Sequence, residues 1–520
     1  KKDLDQNEIK KAKAARLVIS REPTKQGLRY TLAYRVEMPR VKEPTFKPIF
    51  INGKESVQDQ PFKSWVYFID AYNGRIIRRV NAYTYDDLSG LVRGMIYETT
   101  PDHPQREQSI AYEDIHIRQG TTDEWVTTGS TGMYHYTGSL TGPVEVEARF
   151  NGPHVRVHNQ ETPDPDSTHR FSISLPGSHD WNWSADDPSP DDVETNAFFH
   201  VNFIRDWFLR GDPFDIEPLP HPMEVYVRDG EYCNAGADWT GLYFGSGSPF
   251  ACLDYALSTD IIYHEFTHRV VHRIYDLMGV DLDPDPFKGA MNEGWADYFG
   301  ASIANDPWHG EVIYSGRNLD TGEYMGVVAV DDNRKFPRDW VGEVHWDGLI
   351  FSGSIWDVRK ELGDVATDSL AFRALKHAPA DFPEYLHTFL LEDDDPAHST
   401  DPAADNDLSN GTPHMDAICH AFYDCHGIYH EACLSHTEVP IAIIRSPDPL
   451  AFTSFDSSVP SIPILGTAAG SNHPLLHFTV EYGEGPEPSS WRSTGMTLTA
   501  DGGFPVIDST LAEWDLAGIE

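Results

Sequence analysis

The chain has 520 residues, room for two to four domains, and its 40% hydrophobic and 12% aromatic content is that of globular rather than disordered protein. A formal net charge of −42 is spread unevenly: residues 1–80 hold 18 basic and 9 acidic side chains, and the remainder holds 22 and 73. The acidic body argues against nucleic acid or an anionic membrane as partner, and no apolar run approaches the roughly 18 residues that span a bilayer.

Taken in order, residues 10–82 alternate apolar and polar side chains in short runs: Arg16–Ile19, Leu28–Val36 and Trp65–Asp70. The Asn73-Gly74 turn then leads into Ile76, Ile77 and Val80. This pattern predicts a small antiparallel sheet, with a helix over Asn7–Ala15. Residues 83–160 stay strand-like and rich in turn glycines, which predicts a β-rich segment. After the acidic stretch Asp186–Asp192, Ala197, Val201, Ile204 and Phe208 are spaced for one buried helix face. A strand follows from Met223 to Arg228. Cys233 and Cys252 then bracket a glycine-rich loop and look like one bridge.

A helical pattern from about Thr259 to Leu277, with Ser258 or Thr259 as N-cap and Gly279 as stop, contains His264-Glu265-Phe266-Thr267-His268. Residues four apart share a helix face, so both imidazoles can address one metal ion with Glu265 beside them. Two nitrogen ligands and a carboxylate that handles protons are what a catalytic zinc uses. A second helix begins near Asn292-Glu293-Gly294-Trp295-Ala296-Asp297. There Glu293 completes a His₂Glu ligand set, and Asp297, one turn on, accepts the outer N–H of one histidine, while Asn292 is a candidate for the other. Further on, Gly342–Gly348 carries His345 and opens onto a helix through Ser352, Ile355, Trp356 and Val358.

In the loop Asp405–Gly411, oxygen-bearing side chains at alternate positions are read either as a structural calcium site or as an Asx-rich turn; the glycine stands one place late for an EF-hand. Cys419, Cys425 and Cys433 allow a second disulfide with one thiol left over. Together with His420, His426 and His430 they can also be read as a second metal site, although the spacing matches no standard zinc template. From Thr437 the composition turns to Pro, Ser and Gly. Ile441–Ile444, Leu475–Tyr482 and Met496–Ala500 alternate as in a β-sandwich-like module that ends without a closing strand.

With both helices in view, the chain resembles thermolysin/fungalysin-type zinc metallopeptidases, the gluzincins, most specifically across about 195–430. The resemblance implies an α+β multidomain protein. A PepSY-like α+β propeptide segment would span 1–85, and a thermolysin-like catalytic domain would have a β-rich part at 86–194 and a mainly helical zinc part at 195–436. A C-terminal β module would follow at 437–520. It also implies zinc held by His264, His268 and Glu293, with Glu265 as general base and His345 hydrogen-bonding the developing oxyanion. Asn234-Ala235 would pair with substrate backbone as an edge strand. The expected partners are polypeptide substrates and the chain's own prosegment, in a secreted protein. Because Lys1-Lys2-Asp3 has no apolar signal region, any secretion signal is expected upstream or already removed.

There are departures from the family pattern. Arg269 stands where glycine commonly follows the second histidine, and Tyr275 is the only tyrosine between His268 and Glu293, at a spacing that gives it no catalytic assignment. The carboxylate that orients His345 is open among Asp339, Glu343 and Asp347. A metzincin would need Gly at 271 and His at 274, where Val271 and Ile274 stand, and the 24-residue interval between His268 and Glu293 excludes the aminopeptidase branch. His272 is read as a supporting or surface histidine. The rival from another class is a secreted adhesion or structural protein with an inactive metallopeptidase domain.

Overall fold

The computed structural model describes residues 88–516 apart from short stretches, the longest being 311–327; before residue 88 it describes only the backbone of strands between 16 and 81. The helix expected over Asn7–Ala15 and the Asn73-Gly74 turn lie outside the described residues. Strands and helices are mixed, and the chain divides into two compact units.

The first unit comprises residues 1–95, 107–153 and 166–191. Its N-terminal sheet is antiparallel and runs in the order Arg16–Thr24, Gly27–Glu37, Trp65–Asp70, Ile76–Asn81. A second antiparallel sheet orders Thr122–Thr127, Asp114–Gln119, Gly142–Arg149 and Thr168–Leu175. Along Gly142–Arg149 every second side chain (Val144, Val146, Ala148) is buried, the two-residue period of a sheet with one covered face.

Residues 96–106, 154–165 and 192–520 form the second unit. Its sheet places Val155–Asn159, Met223–Tyr232 and Gly241–Ser246 in parallel, with Ala235–Ala237 antiparallel at the edge. Helix α1 (Asp192–Phe208) buries Ala197, Val201, Ile204 and Phe208 completely. Helix α2 (Thr259–Met278) starts at the N-cap Ser258 and stops at Gly279, whose φ of 69° is the left-handed cap that glycine adopts without strain. Its apolar stripe of Ile262, Phe266, Val270 and Ile274 faces the core, where Phe266 stacks on Phe208 at 6.1 Å.

Helix α3 (Pro286–Ala304) begins at Asp285, whose carboxylate accepts the amide N–H groups of Phe287 and Lys288. Helix α4 (Val344–Leu362) crosses it closely. A Cβ on Gly294 would come within 2.7 Å of the Gly348 carbonyl oxygen, and one on Gly348 within 3.0 Å of the Glu293 Cβ. Two glycines facing each other therefore let the backbones approach, and that crossing fixes where the start of α4 stands relative to Glu293. Trp295 fills the space behind, against Phe351 at 5.2 Å and Tyr385 at 5.4 Å.

Toward the C-terminus, Ile441–Ser446, Ser461–Ala469, Val506–Asp515 and Met496–Leu498 form one antiparallel sheet in that order over a core that includes Ile462, Ile464 and Leu511. Of the expected strand Leu475–Tyr482, only Tyr482 has strand geometry among the described residues, in a two-stranded hairpin with Trp491–Arg492. Val480 is nonetheless buried, so the apolar alternation there marks burial rather than pairing.

Candidate active site

One turn of α2 separates His264 from His268, and α3 brings Glu293 to the same point. His264 Nε2 and His268 Nε2 are 3.0 Å apart, and Glu293 Oε2 lies 3.4 Å from the first and 3.5 Å from the second. The outer ring nitrogens are tied: His264 Nδ1 to Asp297 Oδ1 at 2.9 Å and His268 Nδ1 to Asn292 Oδ1 at 3.1 Å. Each Nδ1–H donating outward leaves an Nε2 lone pair pointing inward. Two inward lone pairs and an otherwise unpaired buried carboxylate oxygen make a donor set for a cation rather than a hydrogen-bonded cluster. Tetrahedral zinc with ligand bonds near 2.0–2.2 Å separates its ligand atoms by roughly 3.3 Å, so these distances fit the ion.

Without an ion, the electrostatics favour protons where the cation would sit. Burial disfavours charge on His264, but Asp297 and Glu293 outweigh it and hold the ring well above its ordinary value. Burial likewise works against ionised Glu293, yet the two histidines hold its carboxyl far below the usual range. The pocket thus stabilises positive charge. Burial also pushes Glu265 upward, in opposition to the neighbouring histidines.

His345 stands in the first turn of α4, two-thirds exposed, with Nε2 3.7 Å from Glu293 Oε2. Its Nδ1 lies 2.7 Å from Glu343 Oε1, while Glu343 Oε2 accepts the Trp346 amide as the helix N-cap. Glu343 is therefore the carboxylate that orients His345. Asp347 instead turns inward to accept the amides of Val341 and Gly342, and Asp339 accepts that of Lys335.

Sequence reasoning missed His309. It is buried and its Nε2 lies 2.7 Å from the Asp297 carbonyl oxygen, with its ring edge-on to His264 at 6.2 Å. Next to it, the Gly310 amide donates to Asp260 Oδ2 at 2.6 Å, tying this loop to the first turn of α2. Tyr275 donates its hydroxyl to the Pro379 carbonyl at 2.6 Å within the core and takes no part in the site. Ala235 lies in the edge strand opposite Phe244, and the Asn234 carbonyl accepts the Gly245 amide at 2.8 Å. Cys233 and Cys252 form a disulfide just before α2.

Neither of the other two metal readings gains support. Cys419 and Cys433 are bonded to each other, which removes both thiolates from any second metal site, and Cys425 is the free thiol. His420 pairs with Asp424 at 3.0 Å, and His426 spends its two nitrogens on the Arg334 carbonyl and Asp357. In the loop Asp405–Gly411 the carboxylates serve the loop's own donors: Asp405 accepts from the Asp407 amide and the Asn410 side chain, and Asp407 accepts from Ser409. That is the Asx-rich turn. Among the described residues no helix is long and apolar enough to cross a membrane.

No family model matches the chain. It is 29% identical over 203 residues to a zinc metalloproteinase of Listeria monocytogenes, an overlap covering 35% of this chain and 38% of that protein. It is 25% identical over 336 residues to bacillolysin of Brevibacillus brevis, covering 60% of this chain and 54% of the other, and 28% identical over 213 residues to neutral protease B of Bacillus subtilis, covering 37% and 38%. The chain thus spans between 38% and 54% of the length of these curated relatives. Among solved structures, the precursor of protealysin, a metalloproteinase from Serratia proteamaculans, superposes with a TM-score of 0.38 at 16% identity, covering 56% of this chain and 91% of that one. Over these parts of its length, the chain is similar in sequence to zinc metalloproteinases.

Proposed function

We propose that the chain is a zinc-dependent endopeptidase that hydrolyses peptide bonds in proteins. The observation that carries this reading is the convergence of His264 Nε2, His268 Nε2 and Glu293 Oε2 within 4.8 Å, with the outer face of each ring tied to Asp297 or Asn292. When bound, zinc supplies Lewis acidity to a scissile carbonyl and brings the pKa of a water it holds to about 7. Glu265 takes the water proton and passes it to the leaving amine. A carboxylate pushed up by burial is better matched to that task than an exposed one. His345, steadied by Glu343, presents Nε2 on the side of Glu293 and, when protonated, donates to the oxygen that gathers negative charge. The open edge of Ala235–Ala237, with Asn234 beside it, takes substrate backbone as an added strand.

Residues 1–85 act in this proposal as a PepSY-like propeptide on a secreted proenzyme, followed by the β-rich part 86–194, the zinc domain 195–436 and the β module 437–520. The antiparallel sheet within 16–81 and the basic charge of residues 1–80 on an otherwise acidic chain support the first assignment. Limited cleavage between Asn81 and Gly90 is expected to raise peptidase activity. If the intact chain is already as active as the cut one, the inhibitory role is wrong.

The catalytic reading is tested by Glu265→Gln, measured for zinc content and for cleavage of a quenched peptide. Zinc and fold should be retained while the rate drops by about three orders of magnitude or more. Normal cleavage by the variant would remove Glu265 as the base.

A further inference from the structure

Arg269 follows the second histidine of α2 directly, and its side chain reaches the hairpin at the sheet edge. Its Nη2 donates to the Trp239 carbonyl oxygen at 3.4 Å, a long hydrogen bond backed by charge. Trp239 sits in the turn between Ala235–Ala237 and Gly241–Ser246 and is 82% exposed. Asp238 closes this turn: its carboxylate accepts the amides of Thr240 at 2.7 Å and Gly241 at 3.1 Å, and its own amide donates to the Gly241 carbonyl at 3.0 Å. Burial works against ionised Asp238, but the Thr240 and Gly241 hydrogen bonds and the Arg269 charge hold its carboxyl below the usual range. Thr240 is hydrogen-bonded to the Tyr243 hydroxyl, and the Tyr243 ring stacks on Tyr226 at 5.0 Å, which carries the connection into the central strand.

A cation on the histidine helix therefore grips the turn of the hairpin whose outer edge is open. A three-residue strand offers few backbone hydrogen bonds of its own, so its placement depends on what holds its turn. Glycine or alanine at 269 would leave the Trp239 carbonyl without this donor.

We propose that Arg269 is a positioning residue that fixes the hairpin 235–246 against α2, so that a peptide added to Ala235–Ala237 arrives in register with Glu265 one turn earlier on the same helix. This rests on the reading of Ala235–Ala237 as the strand that substrate joins. Arg269→Ala and Arg269→Lys, in the full zinc-loaded chain, with parent and variants cut between Asn81 and Gly90 for the cleavage assays, test it with two readouts. In amide hydrogen exchange, residues 235–246 of Arg269→Ala should exchange about fivefold faster than the parent, with Arg269→Lys close to the parent. In steady-state cleavage, Arg269→Ala should raise KM about fivefold to tenfold for a peptide long enough to lie along the edge strand, with kcat within about twofold and zinc content unchanged. Unchanged exchange would overturn the hold on the hairpin. Faster exchange with unchanged KM, or a loss confined to kcat, would overturn the link to substrate. If the parent itself cleaves no peptide, the failure belongs to the peptidase reading, and the exchange measurement still decides whether Arg269 holds the hairpin.

Discussion

Two regions of the second unit are dense in potential metal ligands, and they differ in where their nitrogens point. On α2 and α3 the histidines bond outward through Nδ1, so their Nε2 atoms meet with Glu293 at one point. Around Cys419–Cys433 the ligand types are just as dense, but His426 is committed on both nitrogens, His420 to Asp424 and Cys425. Two of the three cysteines are spent on a disulfide, and burial pushes the thiol of the third up to about 11, which keeps it protonated. A metal site is thus distinguished by convergence of lone pairs under a tied outer shell, not by the number of histidines and cysteines nearby.

That contrast can be broken most strongly at the ligands. His264→Ala or His268→Ala should release zinc and lower peptide cleavage by about three orders of magnitude or more, whereas His426→Ala should keep both; metal analysis and a quenched-peptide assay read the difference. If His426→Ala lost zinc as well, the two regions would not be as distinct as their geometry indicates.

Buried carboxylates give a second contrast. The histidines pull Glu293 down, but Asp368, which accepts from Tyr298 at 2.8 Å and Ser302 at 2.6 Å, is pushed by burial from its ordinary 3.8 up to about 6. A carboxyl with a raised folded-state pKa contributes stability that is full below its ordinary value and is lost as pH rises through about 6. Relative to an uncharged isostere, that is at most about 3 kcal/mol. Asp368→Asn should therefore be no less stable than the parent at pH 7 and should show a flatter Tm between about pH 4 and 7. Parallel Tm profiles of the two proteins would contradict the assignment.

Smaller effects sharpen the outer shell. Asp297→Ala should weaken zinc retention by about ten- to a hundredfold, as supporting partners of ligand histidines usually do, measured by competition with a chelator. Glu343→Gln should lower kcat about tenfold with little change in KM, because it loosens His345 without touching a ligand. An equal fall with Asp347→Asn at unchanged Tm would mean that the wrong carboxylate had been assigned.

The α2 element was legible in the sequence because a four-residue spacing of identical side chains survives folding as one helix face, and because the helical period of Phe266, Val270 and Ile274 is regular; α3 was legible only in part, since it starts at Pro286, six residues before the expected start near Asn292. The partner of His345 was not, since Asp339, Glu343 and Asp347 lie within nine residues of one another; only the N-cap geometry separates the one that reaches the ring from the two that close local turns. His309 and the Gly294–Gly348 crossing carried no local signal. Both depend on contacts between elements distant in sequence, where a histidine or a glycine has no period to reveal it. In the C-terminal module, alternation over Leu475–Tyr482 was read as a strand, but among the described residues only Tyr482 pairs while Val480 is simply buried, because burial and pairing share one pattern.

Metal reconstitution tests the central claim most directly. The chain, cut between Asn81 and Gly90, is stripped with chelator, zinc is added back in known amounts, and cleavage of a quenched peptide is followed against bound metal. The account predicts no cleavage without zinc and a linear return that ends at one zinc per chain. Cleavage by the stripped chain, or one bound zinc with no cleavage, would contradict it.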